Sequence, residues 1–507
     1  MTPIYSAALS GLQCTLVEVE TDIAPGLPRL TIVGLPDMAV QESRERIRAA
    51  IKNSGLLFPR TRVTVNLAPA DIKKEGPSYD VPIAASILYT AGLIQDTAGI
   101  LAKTILMGEL ALDGTLRSVS GVLSMVLKAR ELGFCRIFLP PQNAAEAALV
   151  DGIEVLACPN LLTLVEFLNG NLTIIPFEPP PTSESITFGE QIDFSHIRGQ
   201  TMIKRALEIA ATGSHNLLMN GPPGAGKTIL ARAVPSILPP LSKKEALEVT
   251  ALWSVGGFLA SSGGLIWQRP FRHPHHSASA ASLIGGGANP RPGEISLAHR
   301  GVLFLDEFPE FSRQVLEQLR QPLEDGTVTI ARAAGTVEYP AKFMLVAAQN
   351  PCPCGYSTDP YHPCICSPGQ VLHYQKKISG PIMDRLDIVI EIQPVPVEEL
   401  AGEKAEESSE TVRQRVEDGR ARQRLRFQNT TLQANAEMKS ADLRRFCLPS
   451  DAALSLLKAA TAKFHLSARA YYRLLKLARS IADLAASETM EATHLAEAIQ
   501  YRTKFNE

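Results

Sequence analysis

The sequence lacks a net charge of either sign: 50 Lys+Arg against 52 Asp+Glu leave a formal charge of -2. That excludes a chain-wide basic footprint for nucleic acid, so any such surface must be local. Long apolar runs are missing too. The longest lies near Val81 to Ile94, contains Pro82, and falls short of the ~20 residues a membrane-spanning helix needs. The opening stretch MTPIYSAALSGLQ has no basic segment followed by an apolar one, so no signal peptide is expected. Cysteine is sparse. Eight in 507 residues do not make a disulfide scaffold, and a reducing cytoplasm is the expected location. No internal repeat is found. The 45% hydrophobic and 20% charged content is that of an ordinary globular protein, and the length suggests about three domains at ~150 residues each.

Residues 1–170 alternate strand-like and helix-like stretches. Cys14–Glu20 and Arg62–Pro69 show β-branched alternation, and Glu42–Gly55 has helical spacing with a Gly placed to cap it. Pro176–Gln191, rich in Pro, Ser and Thr, reads as a linker, set at 171–192. Across 193–395, three short apolar runs end in polar residues: HNLLMN before a Gly-rich loop, GVLFL before Asp306, and FMLVAAQ before Asn350. Buried parallel strands have this form, and ligands sit beyond their carboxyl ends. From 396 to 507 the chain is charged and helical. The expected fold is therefore α/β, with an α+β N-terminal domain, a three-layer α/β core and a helical C-terminal domain.

Gly221-Pro222-Pro223-Gly224-Ala225-Gly226-Lys227-Thr228 matches G-x-x-x-x-G-K-[ST], with a strand before it and a helix after. Its backbone amides cradle phosphate, Lys227 reaches the β/γ oxygens, and the Thr228 hydroxyl binds Mg²⁺. ATP and Mg²⁺ are the cofactors this motif calls for. Asp306 would hold the Mg²⁺ through water, and Glu307 would orient and deprotonate the attacking water; the bland alternative is a solvated strand end. Asn350 would fix that water or the γ-phosphate, or else is a buried turn residue. Arg385 and Arg469 are candidates for the cation that phosphoryl transfer needs, or ordinary ion-pair arginines.

The loop, LFLDEF, QNP, SGPIMDRLD and SARAYYRLLKLARSIADL together resemble the magnesium-chelatase-like branch of AAA+ ATPases, above all the ComM/YifB family. The likeness extends to GLQCTLVEVETDIAPGLPRLTIVGLPDMAVQESRERIRAAI and to RPFRHPHHSASAASLIGGGANPRPGEISLAHRG, and so spans nearly the whole chain. The resemblance implies that Asn350 is a first sensor, Arg385 an arginine finger working on a neighbour's ATP, and Arg469 a second sensor. A finger given in trans implies a ring, expected as a homo-hexamer. The family implies a helicase that drives DNA branch migration in natural transformation, acting on single-stranded or branched DNA. Its chelatase relatives offer the other reading, a motor remodelling a protein partner. Residues 1–170 resemble the proteolytic domain of Lon, with Ser78 at the serine's place. Leu123 falls at the lysine's position and Lys128 one turn further on, so a non-proteolytic domain is expected.

Two further segments stand out. Arg269 to Arg300 carries Arg269, Arg272, Arg291 and Arg300 with His273, His275 and His276, and reads as a long loop. It either tracks DNA phosphates in a ring channel or packs as an insertion whose arginines pair internally. The run Val412–Phe427, with six arginines, reads as a solvated amphipathic helix rather than a DNA contact. Cys352, Cys354, Cys364 and Cys366, four cysteines in fifteen residues, suggest a structural Zn²⁺ site with His362 as a substitute ligand; free loop thiols are the alternative.

Overall fold

Alternation of β-branched residues becomes strand where expected: Cys14–Glu20 lies within Gln13–Ala24, and Arg62–Ala68 is itself a strand. In this computed structural model the described residues are 3–502 except 97, 179–191, 260–263, 288–289, 333–334 and 397–405. Most of the expected linker, 171–192, lies outside them.

The N-terminal region builds a 7-stranded sheet. In spatial order its strands are Arg29–Val33, Arg62–Ala68, Gln13–Ala24, Ile4–Ser10, Thr104–Leu106, Arg136–Leu139 and Glu154–Ala157. The last four run parallel, and helices cross between the three short ones as parallel pairing requires. Helix Met38–Asn53 starts at Asp37, whose carboxylate accepts the Val40 amide, and stops at Ser54 before Gly55 at φ 76°. The apolar run from Val81 is the helix Asp80–Thr90, buried along Asp80 to Leu88. A helix apolar all round belongs in a core, and this one is too short to span a bilayer. Among the described residues no helix is long and apolar enough to cross a membrane.

The second sheet has five strands, ordered Phe271–Arg272, Val302–Leu305, Met344–Gln349, Leu217–Asn220 and Ile388–Glu391. All neighbours are parallel. The three inner strands are the three apolar runs read in the sequence, buried at every position because helices cover both faces. The edge strand Phe271–Arg272 is too short to show a period. The expected long loop from Arg269 to Arg300 is instead broken into short elements: that strand, helix Ala280–Ile284, the pair Gly285–Gly286 and Arg291–Pro292, and helix Glu294–Leu297. Its Gly and Ser content hid them, because each is only two to five residues long.

The C-terminal helices share one apolar cluster with the core sheet, Val416, Leu474 and Ile481 packing with Leu217, Val346 and Ile388. Helix Ser409–Arg426 corrects the expectation of a solvated face. Val412, Val416, Gly419 and Gln423 are buried, and several of its half-buried arginines are engaged by neighbouring segments. Arg415 pairs with Glu208 and Glu407, Arg420 donates to the Ala211 carbonyl, and Arg426 pairs with Asp483. Glu208 and Asp483 sit on other helices, Thr201–Gly213 and Ala468–Leu484, which no local pattern reveals.

Asp483 is fully buried and accepts from Arg426, Arg479 and the Asn435 amide. Asp483→Ala strands two guanidiniums against a closed apolar cluster. The expected loss is about 3–5 kcal/mol, read as a fall in the urea midpoint of the far-UV circular dichroism signal. A loss under ~1 kcal/mol, the size of a surface pair, would show that the pair is solvated.

Candidate active site

The phosphate loop joins strand Leu217–Asn220 to helix Lys227–Ile237. Gly224 and Gly226 hold φ of +77° and +85°, and a Cβ at Gly224 would meet nothing within 4 Å. The loop thus leaves open space at Gly224 beside a helix N-terminus, the setting in which backbone amides bind phosphate. Lys227 lies across it. Its ammonium donates to the carbonyls of Gly221 at 2.6 Å and Pro222 at 2.9 Å, and to Asn350 Oδ1 at 3.1 Å. Burial brings its pKa down to about 8, against the opposing pull of Asp306.

Asp306 follows strand Val302–Leu305 directly. Its Oδ2 accepts the Thr228 hydroxyl at 2.8 Å, and its Oδ1 accepts the Glu307 amide at 2.9 Å. A hydroxyl and a carboxylate this close are the oxygen pair a Mg²⁺ ion takes, with waters and phosphate oxygens completing the octahedron. Glu307 is left-handed at φ 51° and half exposed, a non-Gly residue held in a sparsely populated conformation beside the loop. Its Oε2 lies 2.9 Å from His276 Nδ1. The sequence drew attention to His276 only as part of the arginine- and histidine-rich stretch from Arg269 to Arg300. Its role as partner of Glu307 comes from the edge strand, which pairs Phe271 with Val302 and Arg272 with Leu303 and so carries the HPHH segment to the acidic strand's end. His273 packs tilted against Phe304 there, with 4.7 Å between ring centres.

Asn350 leaves strand Met344–Gln349, so the structure brings Lys227, Thr228, Asp306, Glu307 and Asn350 to the carboxyl ends of three adjacent strands. Arg385 and Arg469 do not join them. Arg385 is buried, pairs with Glu324 and donates to the Pro381 carbonyl at 2.5 Å. Its Nε has no partner. Burial pulls its pKa down, and Arg320, Arg469 and Arg473 all bear on its charge. Arg469 is exposed at the start of helix Ala468–Leu484.

The insertion's arginines settle on the packed alternative. Arg272 grips Glu294 through two nitrogens at 2.5 and 2.7 Å, Arg300 pairs with Glu248 at 2.9 Å, and Arg269 donates to the carbonyls of Pro239 and Arg300. Arg291 is exposed. In the N-terminal region Ser78 sits in the short turn Pro77–Tyr79, Leu123 is fully buried, and Lys128 is spent on Glu131 at 3.1 Å. The four cysteines of the cluster converge, all four sulfurs lying within 4.8 Å of one another. His362 stays out and faces Asp359.

Models of the magnesium chelatase subunit ChlI family match along the chain: "Subunit ChlI of Mg-chelatase" at residues 19–143, "Magnesium chelatase, subunit ChlI" at 193–400 and "Magnesium chelatase, subunit ChlI C-terminal" at 406–502. Competence protein ComM of Haemophilus influenzae is 43% identical over 505 residues, covering 98% of this chain and 97% of that protein. Protein YifB of Escherichia coli is 44% identical over 502 residues, covering 98% and 96%. A shorter likeness, 30% over 161 residues, links 31% of the chain to 33% of the DNA repair protein RadA of Bacillus subtilis.

The Lys227 geometry predicts a proton count. Below its pKa the free protein holds the ammonium charged, and above it the charge is lost; a bound polyphosphate raises that pKa again. Affinity for ADP should therefore weaken as pH rises through about 8, with a proton taken up on binding. Calorimetry at about pH 9 in buffers of different ionisation heat should give an uptake approaching one proton. An uptake near zero would show that Lys227 is not the group the phosphates meet.

Proposed function

The chain belongs to the ComM/YifB family of magnesium-chelatase-like AAA+ ATPases, and from that membership we propose that it is an ATP-hydrolysing ring motor that acts on DNA. The single observation that carries the proposal is the convergence of Lys227, Thr228, Asp306, Glu307 and Asn350 on one phosphate loop. Lys227 and the backbone amides of Gly224, Gly226, Lys227 and Thr228 bind the phosphates, with Gly221, Pro222, Pro223 and Ala225 setting the loop's curve. Thr228 and Asp306 hold Mg²⁺. Glu307 takes the proton of the attacking water, and Asn350 orients that water or the γ-phosphate. Arg385 and Arg469 make no contact with this cluster, which leaves them for the nucleotide of a neighbouring subunit. A homo-hexameric ring is the assembly this reading calls for.

DNA as the substrate rests on the near-full-length likeness to a competence protein and on the shorter one to a DNA repair protein. Branched or single-stranded DNA in recombination or natural transformation, in the cytoplasm, is the reading favoured. The run of ChlI family models supports a second reading, a motor that remodels a protein partner. The N-terminal domain, Lon-like in this reading, is not a protease, because Leu123 offers no base to Ser78. The gathered cysteines are taken as ligands of one structural Zn²⁺.

An ATPase assay without DNA and with single-stranded, duplex or branched DNA separates the readings. Stimulation by DNA is expected, and a rate indifferent to every DNA form would remove the DNA motor. Lys227→Ala should abolish nucleotide binding. Glu307→Gln should keep binding and lose hydrolysis by about 100-fold or more, the scale of a lost general base. Normal turnover in Glu307→Gln would mean that another group activates the water.

A further inference from the structure

The four cysteines lie beside the nucleotide site. Cys352 comes two residues after Asn350 and is fully buried. Sulfur separations are 3.3 Å for Cys352 and Cys354, 3.7 Å for Cys352 and Cys364, and 3.6 Å for Cys354 and Cys364. Four thiolates placed tetrahedrally at ~2.3 Å from one ion lie ~3.8 Å apart, so the spacing suits a single Zn²⁺. It is too wide for any disulfide, which needs about 2.05 Å, and too tight for the larger frame of an iron–sulfur cluster.

The segment has little else to hold it. From Cys352 to Cys366 the described backbone has neither helix nor strand, and residues 361–365 are exposed. A turn-rich segment without its own apolar core needs a staple. Its inner face nonetheless touches the catalytic elements. Gly355 has φ +88°, and a Cβ there would lie 2.6 Å from Pro223 Cδ and 3.9 Å from Asn350 Cγ. The backbone of the cysteine segment thus rests on the phosphate loop and on the side chain that meets Lys227. Its exit is fixed as well. Cys366 precedes Ser367, which caps helix Pro368–Gln375 with a reciprocal Gln370 bond, and Lys377 beyond that helix pairs with Glu310 at 3.0 Å. Glu310 in turn donates its amide to the Glu307 carbonyl at 2.7 Å.

We propose that Cys352, Cys354, Cys364 and Cys366 bind one Zn²⁺, and that the closed knot is a brace pressing Gly355 onto Pro223 and fixing Asn350, so that metal occupancy sets nucleotide affinity. Binding converts the four thiols to thiolates and releases their protons to solvent. With the metal removed, the segment loses its only cross-link and the loop loses the surface it leans on. The inference rests on the zinc and ATP readings given above and adds a coupling between them.

The test uses the full chain. Zinc is counted by elemental analysis, and affinity is measured by titration with a fluorescent ADP analogue, before and after chelation and again after zinc is restored. About one zinc per chain is expected, with affinity falling about tenfold on removal and recovering on restoration. Cys354→Ser with Cys364→Ser should lose the zinc and show the same fall. Gly355→Ala, which keeps every thiol, should keep the zinc and still weaken ADP. This variant tests the brace even where the cysteine variants fail to fold. Less than half a zinc per chain in the unmodified protein overturns the metal site. Full zinc with affinity unchanged by chelation and by Gly355→Ala overturns the brace and leaves both the zinc and ATP readings standing. Failure of the zinc-loaded protein to bind any nucleotide overturns the ATP reading, and the brace with it.

Discussion

One buried ammonium organises the core of this protein. Lys227 is drawn over its own loop by two carbonyls and by Asn350 Oδ1, so it fastens the end of one strand to the end of the next. Strand Leu217–Asn220 could not present the loop without strand Met344–Gln349 beside it, since the Gly221 amide also bonds the Gln349 carbonyl. Strand Val302–Leu305 adds its acid through the Thr228 hydroxyl. The same parallel register that covers both faces with helices leaves these polar groups only one place to go, the rim where the strands stop. Burial of the cation is costly unless its donors are matched, and three oxygens match them.

The helical C-terminal region is coupled to that rim by polar contacts as well as by apolar packing. His215, at the base of strand Leu217–Asn220, reaches Asp387 with one ring nitrogen at 3.3 Å and Ser480 with the other at 2.7 Å. The imidazole beside it holds the Asp387 carboxyl well below the usual range despite complete burial. Arg473 and Arg502 donate to the carbonyl of Leu386, the residue after Arg385. The strand end carrying Arg385 is therefore gripped by helices whose own cluster is continuous with the sheet. Any movement of the helical region is thereby tied to the position of that arginine.

Much of this was legible in the sequence. The phosphate loop, its flanking strand and helix, the acidic strand end and Asn350 all declare themselves through a spacing that phosphate chemistry dictates, and the structure places them together. The cysteine cluster was legible for the same reason, since thiols in close pairs have few other uses. What stayed hidden depends on distance in sequence. Nothing near Glu307 announces His276, because the two meet only when a two-residue edge strand pairs with Val302–Leu305. The arginines of Ser409–Arg426 look like a solvated face because their acids, Glu208 and Asp483, belong to other helices. Arg272 and Arg300 likewise find Glu294 and Glu248 across 22 and 52 residues.

Those internal pairs bear on how the N-terminal domain is used. Glu248 lies on helix Lys243–Gly256, and the same helix carries Ser254, whose hydroxyl bonds Glu146 of the N-terminal domain. Glu146 also accepts the amide of Leu123. Burial pushes the Glu146 carboxyl up, so the contact is a desolvated hydrogen-bond junction rather than a solvated ion pair. Lys243 adds a rim pair with Asp151, and Gly11 packs against Val337 of the neighbouring hairpin. One helix is thus bonded on one side to Arg300, at the end of the insertion that approaches Glu307, and on the other to the N-terminal domain. Glu146 thus serves both the start of its own domain's helix at Leu123 and the hydroxyl of Ser254, so the N-terminal domain is held to helix Lys243–Gly256 through a buried carboxyl.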